Sequence, residues 1–203
     1  MKYQEIEGDL IKLALEGKFD VITHGCNCQC TMSSGLAPQM AKAFYCNKFP
    51  LENKSNKGDI NKLGQIDWKL ALINDKKVAT IYKPNPTNAT QLFYKQHLIV
   101  INAYTQFMYG TNHVDGISKP LDYEALTLCL RKINHIFKGK HIGLPLIGCH
   151  LAGGVWDYHK LPKTSDEEIE IYEQFYHQEK KDVKTIIQEE LKDCKVTVVH
   201  YKP

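Results

Sequence analysis

Two hydrophobic periods alternate along this chain. Residues 10–18, LIKLALEGK, carry apolar groups at helical spacing and stop at Gly17. Residues 19–25, FDVITHG, read as a buried strand centred on Val21 and Ile22. Helical spacing returns over 35–44, GLAPQMAKAF, where Pro38 is tolerable only in the first turn. Residues 77–84 and 97–106 read as strands. The second holds a continuous apolar run, Leu98 to Ile101, which suits a strand covered on both faces. An amphipathic helix is predicted over 123–137 and a short buried strand over 141–147, HIGLPLI. The glycine-rich GCHLAGGVW (148–156) follows. Residues 166–193 read as one long helix or two, after an N-cap at Ser165, and 195–201 as a closing strand. Residues 84–90 read as a loop.

Strands that alternate with helices predict an α/β layered fold with a mostly parallel sheet. Ligands of such sheets sit at the carboxyl ends of the strands. Two loops leave strands at that edge, 25–35 and 148–156, and they carry the unusual residues of the chain.

The chain has 203 residues, 43% of them hydrophobic, which suits one domain with one sizeable core. No apolar run approaches the length of a membrane span, and MKYQEIEGDL does not read as a signal peptide. The expected location is therefore the cytoplasm. Lysine and arginine total 26, but Arg131 is the single arginine. Bidentate reading of bases and phosphates favours arginine, so composition argues against a nucleic-acid partner. The 7 cysteines are an odd number in a chain large enough to need no staples, and they read as reduced thiols.

Cys26, Cys28 and Cys30 invite a metal reading. Zinc sites usually space paired cysteines as CxxC, so that one turn aims both thiolates at one ion. The spacing here is CxC twice, with no second pair, and no metal or cofactor is implied. Cysteine-phosphatase chemistry needs an arginine shortly after its cysteine, and Arg131 follows Cys129 inside a predicted helix. A GxxxxGK[ST] loop, a GxGxxG turn and a GxSxG elbow are all missing. Residues 31–36 and 148–154 are small enough for their amides to approach an anion, and the first leads into a helix. Either loop alone is better explained by an ordinary strand-to-helix turn that needs glycine for positive φ. Both at one sheet edge suggest a clamp around a diphosphate.

EGDLIKLA near the start, HGCNCQ…MSSGLA after the second strand and IGLPLIGCHLAGGVW near the end resemble a macrodomain. More narrowly, they resemble the ADP-ribose 1''-phosphate phosphatase branch, including phage-encoded members. GDINKLG (58–64) and NAYTQ (102–106) also look like family segments. The likeness covers most of residues 3–157 and the last strand. It implies a single domain with a three-layer fold, a mixed and mostly parallel sheet between helices, to which residues 158–185 read as an added helical insertion. It implies ADP-ribose or a derivative as partner, without a membrane, and leaves the oligomeric state open.

By this resemblance Gly8, Asp9, Leu10 and Ile11 would hold the adenine, with Asp9 accepting from its amino group and Tyr104 beside the ring. Asn27, next to Gly25 on the strand end, would hold the distal ribose. Met32, Ser33, Ser34, Gly35 and Leu36 would cradle the diphosphate. Gly148, Cys149, His150, Leu151, Ala152, Gly153, Gly154 and Trp156 would close over it. Asn27 and His150 would be the catalytic pair, His150 positioning water or protonating the departing oxygen. The three cysteines would pack around Asn27. His24 also flanks this region; a lone histidine there is more often structural than catalytic.

Three features depart from the family pattern. Ser33-Ser34-Gly35 stands for a glycine cluster. Val155 precedes Trp156 where phage relatives tend to carry an acid, the nearest here being Asp157. The third is the 158–185 insertion. Two other functions stay open: removal of ADP-ribose from protein or DNA, and non-catalytic sequestration of ADP-ribose-type signalling nucleotides. The related class that cleaves glutamate-linked ADP-ribose places a lysine near Lys42, but its partner aspartate aligns with Ala152.

Overall fold

The structure is a computed structural model. It describes residues 2–49, 57–74, 76, 79–81, 96–110, 119–161, 165–166, 169–171, 173 and 181–202. The described strands are β1 (Lys2–Gly8), β2 (Val21–Asn27), β3 (Ile66–Ile73), β4 (Ala79–Ile81), β5 (Gln96–Gln106), β6 (His141–Leu144) and β7 (Lys195–Tyr201). The α-helices described over their whole length are α1 (Leu10–Leu15), α2 (Ala37–Phe44), α3 (Tyr123–Ile136) and α4 (Val183–Glu190), and residues 166, 169–171 and 173 are helical as well.

The strands form one sheet in the order β1-β7-β6-β2-β5-β3-β4. From β1 to β5 all neighbours are parallel; β3 runs antiparallel to β5, and β4 antiparallel to β3. Each face of the sheet is covered by helices, which gives the three layers expected. Consecutive residues of one strand serve opposite cores. Val21, Ile101 and Val198 pack with Leu126, Leu130 and Ile186 on the α3–α4 side. Ile22, Val100 and Val199 pack with Leu10, Met40 and Phe44 on the α1–α2 side. This two-sided burial is why Leu98 to Ile101 is an unbroken apolar run. Each fully buried aliphatic side chain contributes about 1.5–3 kcal/mol relative to exposure.

Two strands escape sequence reading. In β3 the polar Asp67 points inward, bonded by the Tyr104 hydroxyl at 3.1 Å, while Trp68 is 44% exposed and meets Phe137 edge-on. The strand β1 lies at the sheet edge, where no position is fully buried. Elsewhere, Asp182 caps α4 by accepting from the Thr185 amide, so of the one or two helices read over 166–193 a separate one begins at Val183. Val183, Ile186 and Ile187 belong to the core, so the segment expected as an insertion, 158–185, reaches core structure at its end. Much of that segment lies outside the described residues, as does the loop read at 84–90, and only Ala79–Ile81 of the strand read at 77–84 is described. Among the described residues no helix is long and apolar enough to cross a membrane.

Candidate functional site

Parallel strands bring their carboxyl ends to one edge, and the loops that leave it carry nearly all the residues singled out by the sequence. The first loop begins at a register irregularity between Cys26 and Asn27. The Asn27 side chain then closes a turn: its Nδ2 donates to the Thr31 carbonyl at 2.9 Å, and its Oδ1 accepts from the Thr31 amide at 3.0 Å. Only 7% of Asn27 is exposed. The structure thus engages both ends of this amide in shaping the loop, with Cys30 held at φ 56° inside the turn.

Beyond the turn, Ser33, Ser34 and Gly35 are exposed and lead into α2. A helix start leaves backbone N–H groups without intrahelical partners. Asp9, Asp122 and Asp182 cap α1, α3 and α4 with side-chain carboxylates. The start of α2 has no side-chain cap. Apart from Pro38, which has no N–H, its first-turn amides are therefore uncommitted to a side chain, in a place where the helix dipole favours an anion.

The second loop folds back on itself. The Gly154 amide donates to the Gly148 carbonyl at 2.9 Å, and a single turn over His150–Ala152 fills the excursion. Leu121 packs beneath: its own amide donates to the Ala152 carbonyl at 3.0 Å. A Cβ at Gly154 would stand 2.4 Å from Leu121 Cδ2 and 2.8 Å from the Gly148 oxygen. Close internal packing is thus a sufficient reason for this glycine. The Val155 amide is held by the Tyr123 hydroxyl at 2.8 Å. At the tip, His150 is exposed in the left-handed region at φ 63°. Cys149 is half-buried, and burial pushes its thiol up to about 12, which leaves it protonated and a poor nucleophile.

The two loops meet. A Cβ at Gly35 would lie 3.7 Å from Leu151 Cδ1, so the Leu151 side chain faces the start of α2. Deeper in, a Cβ at Gly25 would lie 3.4 Å from Ile147 and 3.9 Å from the Gly148 nitrogen.

The opposite end of the edge is built by β1 and β7. Asp9 Oδ1 accepts from the Ile11 and Lys12 amides at 2.8 and 3.0 Å. The Ile11 amide is thus engaged by Asp9, which leaves the Leu10 amide at the first turn. Tyr201, the register partner of Gly8, is 64% exposed beside it. Sequence reasoning did not single out Tyr201, an exposed aromatic at the carboxyl end of a correctly read parallel strand.

The structure corrects the placing of Tyr104. It is fully buried and bonded to Asp67, and with Cys26 and Cys28 it forms a small core beneath the first loop. An aromatic so enclosed cannot stack on a ligand at the surface. Met32 turns inward too, packing against this core and against the α1–α2 core. Trp156 is half-buried, edge-on to His200 at 6.0 Å, and packs on the α3–α4 core. Asp157 is paired with Lys184 at 3.2 Å, which also reaches Glu5 at 3.2 Å. His24 is 2% exposed and bonded to Asn102 at 2.9 Å, and burial lowers its pKa to about 4. A neutral, enclosed imidazole of this kind holds β2 to β5 and is no acid–base catalyst.

No family model matches the sequence. It is similar to the uncharacterized 17.5 kDa protein of the tk-vs intergenic region of phage T4, 31% identical over 156 residues, 75% of this chain and 81% of that protein. The fold is similar to the macrodomain of Thermus aquaticus DarG, with TM-score 0.51 and 18% identity over 99% of this chain and 98% of that one. It also resembles Thermosipho africanus DarTG, solved in complex with ADP-ribose, with TM-score 0.53 and 15% identity over 100% of this chain and 42% of that one.

Proposed function

We propose that this chain, a member of the macrodomain family, binds ADP-ribose along the carboxyl edge of its sheet and hydrolyses the phosphate of ADP-ribose 1''-phosphate. The observation that carries the binding reading is the uncapped start of α2, faced across the edge by Leu151 of the second loop. Amides at that helix start donate to the diphosphate oxygens, and the apolar Leu151 shields it. Distance fits an elongated ligand. From β1 to β2 the sheet makes three strand-to-strand steps, or about 14 Å at the usual spacing. Adenine sits at one end against Asp9 and Tyr201, the diphosphate lies between the loops, and the distal ribose reaches the far side. The solved complex of Thermosipho DarTG with ADP-ribose supports this choice of ligand. Kinship with a phage protein supports a place in a host cytoplasm.

For turnover, water attacks phosphorus and the bond from phosphorus to the ribose oxygen breaks. His150 supplies a proton to that leaving oxygen, and Asn27 acts by holding the turn that aims residues 31–36. Removing a general acid typically lowers rate by about 10²–10⁴-fold. His150→Ala is therefore expected to lower kcat for phosphate release by that factor and to leave ADP-ribose affinity within a few-fold. Full activity in the folded variant removes His150 from the mechanism. One observation favours a second reading, a binder that sequesters the nucleotide: Asn27 and Asp157 are engaged within the protein and Cys149 is held protonated. Tight ADP-ribose binding by wild type without phosphate release selects it.

A further inference from the structure

Behind the first loop lies a pair of nucleophiles that the nucleotide site does not use. Lys62 closes the short turn Ile60–Lys62 and is only 3% exposed. A buried ammonium needs compensation. Among the described residues, the only side-chain atom within hydrogen-bonding distance of Lys62 Nζ is the sulfur of Cys30, at 2.7 Å. The Tyr104 ring lies 5.8 Å from the same nitrogen. The other thiol contacts described in this chain run from 3.2 to 3.9 Å. The Lys62–Cys30 approach is well inside that range.

Local geometry holds the two atoms together. The Gly58 amide donates to the Cys28 carbonyl at 2.9 Å, which lays the segment before Lys62 along the loop. Cys30 is fixed at φ 56° by the Asn27–Thr31 turn. Cys30 is also half-buried, so a small oxidant reaches it, whereas Cys28 is fully buried. Burial raises the Cys28 thiol to about 11, against the opposing influence of Lys62, which leaves Cys28 the less reactive neighbour.

We propose that Cys30 and Lys62 form a peroxide-driven covalent bridge, a sulfenamide that ties the first loop to the turn at 60–62. In the first step the Cys30 sulfur attacks hydrogen peroxide. The O–O bond breaks, one oxygen stays on sulfur as S–OH, and the other leaves as water, taking one proton from the Cys30–Lys62 pair so that Lys62 is left as the neutral amine. Sulfur is oxidised by two electrons and peroxide is reduced by two. In the second step the Lys62 nitrogen attacks that sulfur. The S–O bond breaks, and the hydroxyl leaves as a second water with a proton from nitrogen. Sulfenic acids condense with nearby nitrogen in this manner, and thiols reverse it. One thiol, one amine and one peroxide thus give one S–N bond and two waters. The modification is independent of what the nucleotide site binds.

The test is peptide mass mapping of the full chain after treatment with a few equivalents of hydrogen peroxide. The expected product joins the peptides holding Cys30 and Lys62, lighter by two hydrogens than their sum, and a thiol reductant separates them. Cys28→Ser should still form it; Lys62→Met should not, and its Cys30 should carry oxygen instead. Cys30 joined to Cys28, or oxidised alone in wild type while Lys62 stays unmodified, overturns the proposal. A joined pair that retains an oxygen overturns the S–N bond.

Discussion

Gly154→Ala is expected to lower the stability of the protein by about 3 kcal/mol, the upper end of what overpacking costs. The reason is where the added carbon lands. It would stand 2.4 Å from Leu121 Cδ2 and 2.8 Å from the Gly148 carbonyl oxygen. A side chain can rotate away, but the carbonyl is held by the bond that the Gly154 amide itself donates. The loop must open for the methyl to fit. Urea denaturation reads the loss directly. Adding Leu121→Ala should recover the side-chain part of the penalty and not the backbone part. A Gly154→Ala protein within about 0.5 kcal/mol of wild type, the ordinary range for harmless substitutions, would show that the second loop is not packed as described. Nucleotide affinity should fall along with stability, since the same loop carries Leu151 to the start of α2.

The second large effect is set by pH. Burial lowers the pKa of His24 from 6.5 to about 4 in the folded state. As pH falls, the unfolded chain takes up this proton first, so the unfolded state gains. Stability from His24 is complete above 6.5, declines below it, and is lost once pH reaches about 4. The shift corresponds to about 3 kcal/mol. Carboxylates titrate over part of the same window, so the clean reading is a difference. His24→Gln keeps a donor for Asn102 and does not titrate. Between neutral pH and pH 4, wild type should lose about 3 kcal/mol more than the variant, measured by urea midpoints. Parallel loss in the two proteins would mean that His24 is hydrated and charges freely.

Much of the layered fold was legible in hydrophobic period alone, because strands covered on both faces are uniformly apolar and helices are not. What escaped was decided by contacts distant in sequence. Asp67 is inward in β3 because Tyr104 of β5 bonds it, and β1 is too exposed at its edge to show a buried face. The candidate site was legible in the same uneven way. Small residues marked both edge loops, since backbones that approach closely exclude side chains. The structure adds a second cause for them, the packing of Leu121 against Gly148 and Gly154. Tyr104 could not be placed from its sequence, because a strand buried on both faces gives no parity by which to tell ligand from core. Nor does sequence reveal that Asn27 bonds Thr31, a choice made when the chain leaves β2 at an irregular register.

The central claim is that ADP-ribose lies along this edge with its adenine at Asp9, and calorimetric titration of wild type and Asp9→Asn tests it most directly. Asparagine keeps an oxygen for the Ile11 and Lys12 amides, so α1 stays capped. It replaces the other carboxylate oxygen by a donor that opposes the adenine amino group. Wild type should bind ADP-ribose saturably at one site per chain, and Asp9→Asn, equally folded, should bind about 10-fold or more weakly, as for loss of a hydrogen bond to a charged group. Folded wild type that takes up no ADP-ribose would contradict the account, and equal affinity in the two proteins would remove the adenine from Asp9.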